Sequence, residues 1–237
     1  MGRIFEKRKH TMFARFAKMA KAFTKIGREI NIAVKLGGPN PDANPRLRAV
    51  IQNSRAVNMP KTNVDAAIKR ASDKDTAHYE EVIYEGYAPH GVPVLVECAT
   101  DNPTRTVANV RMHFNRGGGA LGTNGSVSFM FERKALFKVA SAGLNREEIE
   151  FELIDFGGEE FTWDDENGDL IIQTPFTEFG NMQKGLEDKK IEIKESSKAF
   201  IPTTYKKITD EQEAEVQALI DKLEDDDDVV AVYHNAQ

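Results

Sequence analysis

Residues 116–126 read RGGGALGTNGS, and the way this stretch is taken decides the fold. Gly117, Gly119 and Gly122 satisfy G-x-G-x-x-G, the spacing with which many enzymes cradle a dinucleotide pyrophosphate. That fingerprint works when the glycine turn leaves a strand and opens a helix, whose N-terminal N–H groups and dipole hold the phosphate. Here the order is reversed. Val107, Val110 and Phe114 recur at helical spacing before the glycines, while Val127, Phe129 and Phe131 alternate after them as a strand does. The loop is therefore expected at a helix C-terminus, where the partial charge is negative and glycines serve a C-cap and a tight return to a sheet. No Lys-Ser or Lys-Thr follows to make a Walker loop. The stretch argues against a dinucleotide fold and for an α+β arrangement.

Upstream, VIYEGYA and VPVLVECA flank Pro89-His90-Gly91, a hairpin signal. Downstream, strand ALFKVA, helix REEIEFELIDF, strand EEFTW, a turn at Asn167-Gly168, strand DLIIQT, helix TEFGNMQKGLEDK and strand KIEIKE follow one another. This is βαββαβ, the ferredoxin-like order. One more helix, Asp210 to Glu224, and one more strand, VVAVYH, close the chain. They cannot form a domain alone, whereas the strand–strand–helix–strand unit ahead of Lys134 lacks a helix and a strand. The economical reading makes residues 134–205 an insertion, with residues 80–133 and 206–237 forming one discontinuous α/β domain around it.

The first 76 residues read as a helical domain with a basic tail. Phe13, Phe16, Ala20, Phe23, Ile30 and Val34 recur at spacings that make one face of a long helix, ended by Gly37-Gly38-Pro39. Asn44-Pro45 opens a second helix as N-cap and first helical residue, and a third follows Met59-Pro60. The expected fold is thus a three-helix N-terminal domain and two two-layer, ferredoxin-like α/β domains, one inserted in the other.

The formal net charge of −6 hides an asymmetry. Residues 1–75 hold 17 Lys plus Arg against 6 Asp plus Glu, net +11, and the remainder is net −17. Such a dipole suggests that the first part meets a polyanion. No apolar run exceeds about five residues, far short of the ~20 that cross a bilayer, so no membrane role is expected. The N-terminus has no apolar stretch behind its basic residues and is not a secretory signal. Cys98 is the only cysteine and reads as a small buried hydrophobe.

Catalytic templates fail. The 5 histidines lack metal-ligand spacing, no G-x-S-x-G elbow occurs, and Asp225 to Asp228 reads as a solvated acidic turn. No enzyme activity, cofactor or metal is expected. The cations have better geometry. Lys18, Lys21, Lys25 and Arg28 fall in a stripe of roughly 100° beside the apolar face, and Arg46, Arg48, Arg55, Lys61, Lys69 and Arg70 extend the same sign over the next two helices. They are the candidate nucleic-acid contacts. A second candidate contact loop comprises Asp101, Asn102, Arg105, Arg116, Gly117, Gly118 and Gly119. Arg105 in a helix's first turn opposes the dipole, so local stability does not explain it.

NMPKTNVDAAIKRA (58–71), YEGYAPHGV (84–92), TDNPTRTVANVR (100–111), FNRGGGALGTNGSVSFMF (114–131) and VVAVYHN (229–235) together resemble the YebC family, the probable transcriptional regulatory proteins, whose mitochondrial relatives are translational activators. The resemblance covers nearly the whole chain. GRIFEKRKHTMF stands where members commonly carry Gly-His-Ser-Lys-Trp, and of the family's usual Arg-Asn-Arg after Thr-Asp-Asn only the second Arg survives, as Arg105. The resemblance implies a cytoplasmic, non-enzymatic, three-domain protein of gene expression. Two accounts fit it, with DNA, RNA or both as the partner: binding promoter DNA to regulate transcription, or acting on the ribosome to assist translation, notably through proline-rich stretches.

Overall fold

The computed structural model describes the backbone of residues 3–73 and 76–237 and the side chains of residues 19–73 and 76–237. Phe13, Phe16 and Lys18 lie outside the described side chains. The chain divides into two compact units, one ending at Glu80 and one spanning Glu81–Gln237.

The first unit contains α1 (Arg3–Gly37), α2 (Pro45–Ala56) and α3 (Lys61–Ser72). One side chain makes the corner between α1 and α2. Asn44, 3% exposed, accepts the Leu47 N–H at 3.1 Å as N-cap of α2, and its Nδ2 donates to Ala33 O and Gly38 O at 2.8 and 2.9 Å. Carbonyls at the end of one helix and an orphan N–H at the start of the next are thus satisfied together. Gly38 takes φ +84°, the left-handed conformation that ends α1. The core joins Ile26, Ile30, Ala33 and Val34 to Leu47, Val50, Val64, Ala67 and Ala71. It begins at Ile26: Ala20 is exposed and Phe23 half-buried, so the described apolar stripe is shorter than its periodicity suggests.

The second unit holds two four-stranded sheets. Strands β1 (Glu80–Ala88) and β2 (Val92–Thr100) flank a turn in which His90 takes φ 63°. Then come α4 (Pro103–Arg116), β3 (Ala120–Leu121), β4 (Phe131–Ala140), α5 (Arg146–Ile154), β5 (Glu160–Asp164), β6 (Asp169–Pro175), α6 (Phe179–Asp188), β7 (Ile193–Pro202), α7 (Asp210–Glu224) and β8 (Val229–His234). The first sheet has the order β3-β1-β2-β8, and the second the ferredoxin-like order β5-β6-β4-β7. β8 pairs antiparallel with β2, from Val94 opposite His234 to Cys98 opposite Val229.

β2 is buried at every position, which accounts for its opening apolar run VPVLV. Val92, Val94, Val96 and Cys98 pack with Val110 and Phe114 of α4 and Val216, Leu219, Ile220 and Leu223 of α7. On the opposite face, Leu95 packs with Val127, Phe131, Phe200 and Tyr233, joining the two sheets. Lys198 of β7 reinforces this seam by pairing with Glu97, 2% exposed, and with Glu81 at 2.6 Å.

One expected strand does not form. The alternation of Val127, Phe129 and Phe131 predicts one buried face, but Phe129 is 76% exposed while Val127 and Phe131 are buried. Residues 128–130 make a 3₁₀ turn, and the strand starts only at Phe131. The backbone ahead of it is engaged by a side chain of β1.

Candidate nucleic-acid interface

Lys21, Lys25 and Arg28 occupy successive turns of α1 and are half-buried. The Arg28 guanidinium stands over the Tyr79 ring, 5.3 Å from its centroid, which holds a flexible cation in one place. Arg48 is structural, since its Nη1 donates to Pro41 O and Asp42 O at 3.0 and 2.9 Å and braces the turn before α2. Arg46 is half-buried, and Arg55, Lys61, Lys69 and Arg70 are exposed. Lys61 opens α3 while Lys69 and Arg70 end it, about 12 Å along the axis.

Two of these cations converge. Arg28 and Arg70 line a groove of about 580 Å³ together with Phe23, Gly27, Asn31 and Tyr79. The segment closing it is tied to α3 by Thr76, whose hydroxyl donates to Arg70 O at 2.6 Å. Lys35 of α1 also reaches Asp73 O at 2.8 Å. Arg46, Arg48, Arg55, Lys61 and Lys69 do not line this groove.

The glycine stretch has a different construction. Gly117 follows α4, its N–H bonded to His113 O at 2.9 Å, and Gly119 N–H returns to Phe114 O at 2.9 Å. Gly118 takes φ +74°. A Cβ on Gly117 would stand 2.7 Å from Leu219 Cδ1, and one on Gly119 2.4 Å from Tyr87 O. The close approach that these glycines permit is made to the chain itself. Leu121 and Ala120 pair with Gly86 and Tyr87 of β1.

The rest of the loop wraps an anion supplied by the protein. Glu85, 3% exposed, accepts the N–H groups of Gly125 and Val127 at 2.7 Å and of Ser128 at 2.8 Å. Burial raises the pKa of this carboxyl, but the three backbone donors outweigh it and hold it below the ordinary value of 4.5. The loop is thus an anion-binding nest, and its occupant is a carboxylate from β1. With these N–H groups committed to Glu85, and that of Ser126 to Thr123 O at 3.1 Å, residues 125–128 have none for a sheet ladder, so the expected strand is lost.

Beside it lies a buried polar network. Asp228, 3% exposed, accepts from Arg105 Nη2 at 2.9 Å and from Thr106 Oγ1 at 2.7 Å. Arg105 also bonds Asp101 at 2.9 Å. The hydrogen bonds to Asp228 and then to Asp101 raise the Arg105 pKa. Asn102 caps α4 by accepting Arg105 N–H at 3.1 Å. His113 contacts Asp226 at 3.2 Å. Two expectations change: Arg105 is accounted for by its carboxylates, and the acidic turn is not solvated throughout, because Asp228 is the buried anchor of the α4 N-terminus. Arg116 is exposed. Among the described residues no group of three or more His, Cys, Asp or Glu side chains is arranged to hold a metal ion, and no helix is long and apolar enough to cross a membrane.

Profiles described as "TACO1/YebC protein N-terminal domain" and "TACO1/YebC second and third domain" match residues 3–74 and 79–236. The chain belongs to the TACO1/YebC family. It is 55% identical over 237 residues, the whole of both chains, to a "Probable transcriptional regulatory protein" of Flavobacterium psychrophilum. A protein of the same description from Anaeromyxobacter dehalogenans is 53% identical, with 99% of each chain covered. A conserved hypothetical protein of Aquifex aeolicus, known from a crystal structure, superposes with a TM-score of 0.80 at 38% identity, covering 92% of this chain and 90% of that one.

In this TACO1/YebC chain the groove lies in the first unit, lined by the matched N-terminal domain and by Thr76, Ala77 and Tyr79 just after it, and the Glu85 nest and Asp228 network fall in the matched second and third domains. Sequence reasoning missed Glu85, Asp228 and Asn31. The available signal at Glu85 was a carboxylate within a strand otherwise rich in apolar and aromatic residues. At Asn31 it was an amide among Ile30, Ile32 and Ala33.

Proposed function

We propose that the chain is a non-enzymatic, nucleic-acid-binding regulator of gene expression, a cytoplasmic protein without a small-molecule cofactor. It would hold DNA phosphates through the basic helical domain, residues 1–76. The α/β domains, residues 80–133 with 206–237 and the inserted 134–205, supply shape and a partner surface. The observation that carries this reading is the segregation of charge: net +11 in residues 1–75 against −17 in the rest, with Arg28 and Arg70 lining one groove of the helical unit. The name borne by the Flavobacterium and Anaeromyxobacter relatives agrees with it. The contact surface in this reading comprises Lys18, Lys21, Lys25, Arg28, Arg46, Arg55, Lys61, Lys69 and Arg70, while Arg48 supports it by bracing the turn before α2. In the loop of Asp101, Asn102, Arg105 and Arg116 to Gly119, the secondary contact is the exposed Arg116, while Arg105 is held by Asp101 and Asp228.

A second reading, a ribosome-associated factor that assists elongation through proline-rich stretches, uses the same phosphate contacts. It is favoured by the concave form of the cationic site, since duplex DNA is read by elements that project into its grooves. Salt titration of duplex and ribosome binding tests both. The logarithm of the affinity should fall linearly with the logarithm of salt, and Lys18→Glu, Lys21→Glu and Lys25→Glu together should remove about three phosphate contacts from the slope. Unchanged binding of both targets by the triple variant would defeat the basic-face assignment.

A further inference from the structure

Two groove residues of α1 are poor choices for stability. Gly27 sits inside the helix, where glycine is less favourable than alanine, and nothing in the fold requires it: a Cβ there would meet no atom within 4 Å. One turn on, Asn31 is 5% exposed, and its Oδ1 accepts no hydrogen bond. A buried acceptor in that state is destabilising. The two residues are four apart, so they share a face, and both line the same groove. Gly27 keeps the wall low, Asn31 presents an acceptor at depth, and Phe23 and Tyr79 supply aromatic groups. Arg28 and Arg70 give the site positive charge.

A fitting occupant is flat, partly apolar, carries an N–H donor on its edge and bears a negative charge within reach of the guanidinium groups. A nucleotide has all four properties. We propose that this groove seats one unstacked nucleotide of a single-stranded nucleic acid, its base edge donating to Asn31 Oδ1 and its phosphate held by Arg28 and Arg70. The volume falls within the about 300–1,000 Å³ of small-molecule sites. A base paired within a duplex cannot enter, because it would first have to leave the stack. Aromatic stacking and a single buried acceptor predict a preference for exposed bases with little dependence on sequence. The inference rests on the nucleic-acid reading and sharpens it by assigning the helical unit to single strands.

The test measures binding of a short mixed-sequence single strand and of its duplex by fluorescence anisotropy, with DNA and RNA versions of each. Full-length wild type is compared with Gly27→Met, which fills the groove, and with Asn31→Leu, which removes the acceptor. Neither substitution changes charge. The expected result is that both variants melt no lower than wild type, lose about tenfold or more in single-strand affinity, and keep their duplex affinity. The DNA and RNA arms identify the strand that supplies the nucleotide. Single-strand affinity within about twofold of wild type in a well-folded Asn31→Leu or Gly27→Met chain overturns the groove assignment and leaves the basic-face reading standing. Failure of wild type to bind either form at low salt overturns both. A 4-thiouridine-bearing strand gives a second readout: crosslinks should fall on peptides containing Phe23 or Tyr79, and crosslinks confined to the second unit would also overturn the assignment.

Discussion

The Glu85 loop and the Asn31 groove answer one physical problem in opposite ways. Each gathers polar groups inside a folded unit. Around Glu85 every partner comes from the chain: three backbone N–H groups converge on one carboxylate, leaving the nest filled. At Asn31 the acceptor is left without a hydrogen bond, in a groove lined by Arg28 and Arg70. Charge-assisted bonds to a buried carboxylate are strong, so the first arrangement is a structural clamp. The second costs stability, and that makes it the better candidate for a binding site. A string of glycines drew attention to the first region, while no motif marked the second.

The largest expected effect follows from emptying the clamp. Glu85→Leu leaves three donors without their acceptor and should cost about 3–5 kcal/mol. Urea unfolding would measure it, and amide exchange at Gly125, Val127 and Ser128 should accelerate. If those amides remain protected, the loop does not depend on Glu85 and the comparison fails. Asp228→Ala should cost about 2–3 kcal/mol by removing the buried acceptor that Arg105, Thr106 and Thr100 share beneath the start of α4, with exchange rising through the first turn of α4.

The clamp should also show in the pH dependence. The folded-state pKa of Glu85 lies below 4.5, so in the window between the two values the unfolded chain binds more protons. Its contribution is present above about pH 4.5 and is lost as pH falls through the folded value. Glu85→Gln should flatten stability over that acid range. His234 is depressed below 6.5 by burial, with Glu213 and Glu224 opposing. Its contribution is complete above about pH 6.5 and falls below it, and the imidazole NMR titration should show a midpoint under 6.5.

The groove predicts the opposite sign. Gly27→Ala should stabilise the helical unit by about 0.5–1 kcal/mol, measured by thermal melting. A loss of stability would mean that the glycine is needed by the fold and would undo the contrast with the clamp.

Much of the fold was legible because it is written locally. Asn44-Pro45 signals a helix start through a contact that spans three residues, and α7 and β8 have the bounds read from pattern alone. The βαββαβ order led to the second sheet's ferredoxin-like arrangement. What was not legible depends on distant partners. Glu85 meets its loop across about 40 residues, and Asp228 meets Thr106 across 122. Periodicity carries no record of either, so Val127, Phe129 and Phe131 predicted a strand that the clamp prevents. Arg105 looked surplus for the same reason. The candidate cations were recognisable by sign, but only side-chain geometry separates Arg48, which braces a turn, from Arg28 and Arg70, which face a groove.

The pairing of β2 with β8 sets an order of events during synthesis. Glu97 and Tyr233, which meet across this seam, are 136 residues apart. At about 5–20 residues per second, β2 emerges on the order of ten seconds before the strand that covers its edge. All four strands of the inserted sheet are made within that interval. The second sheet is therefore free to fold first, and for those seconds the most apolar strand of the first has an open edge, the form in which nascent chains pair with the wrong neighbour.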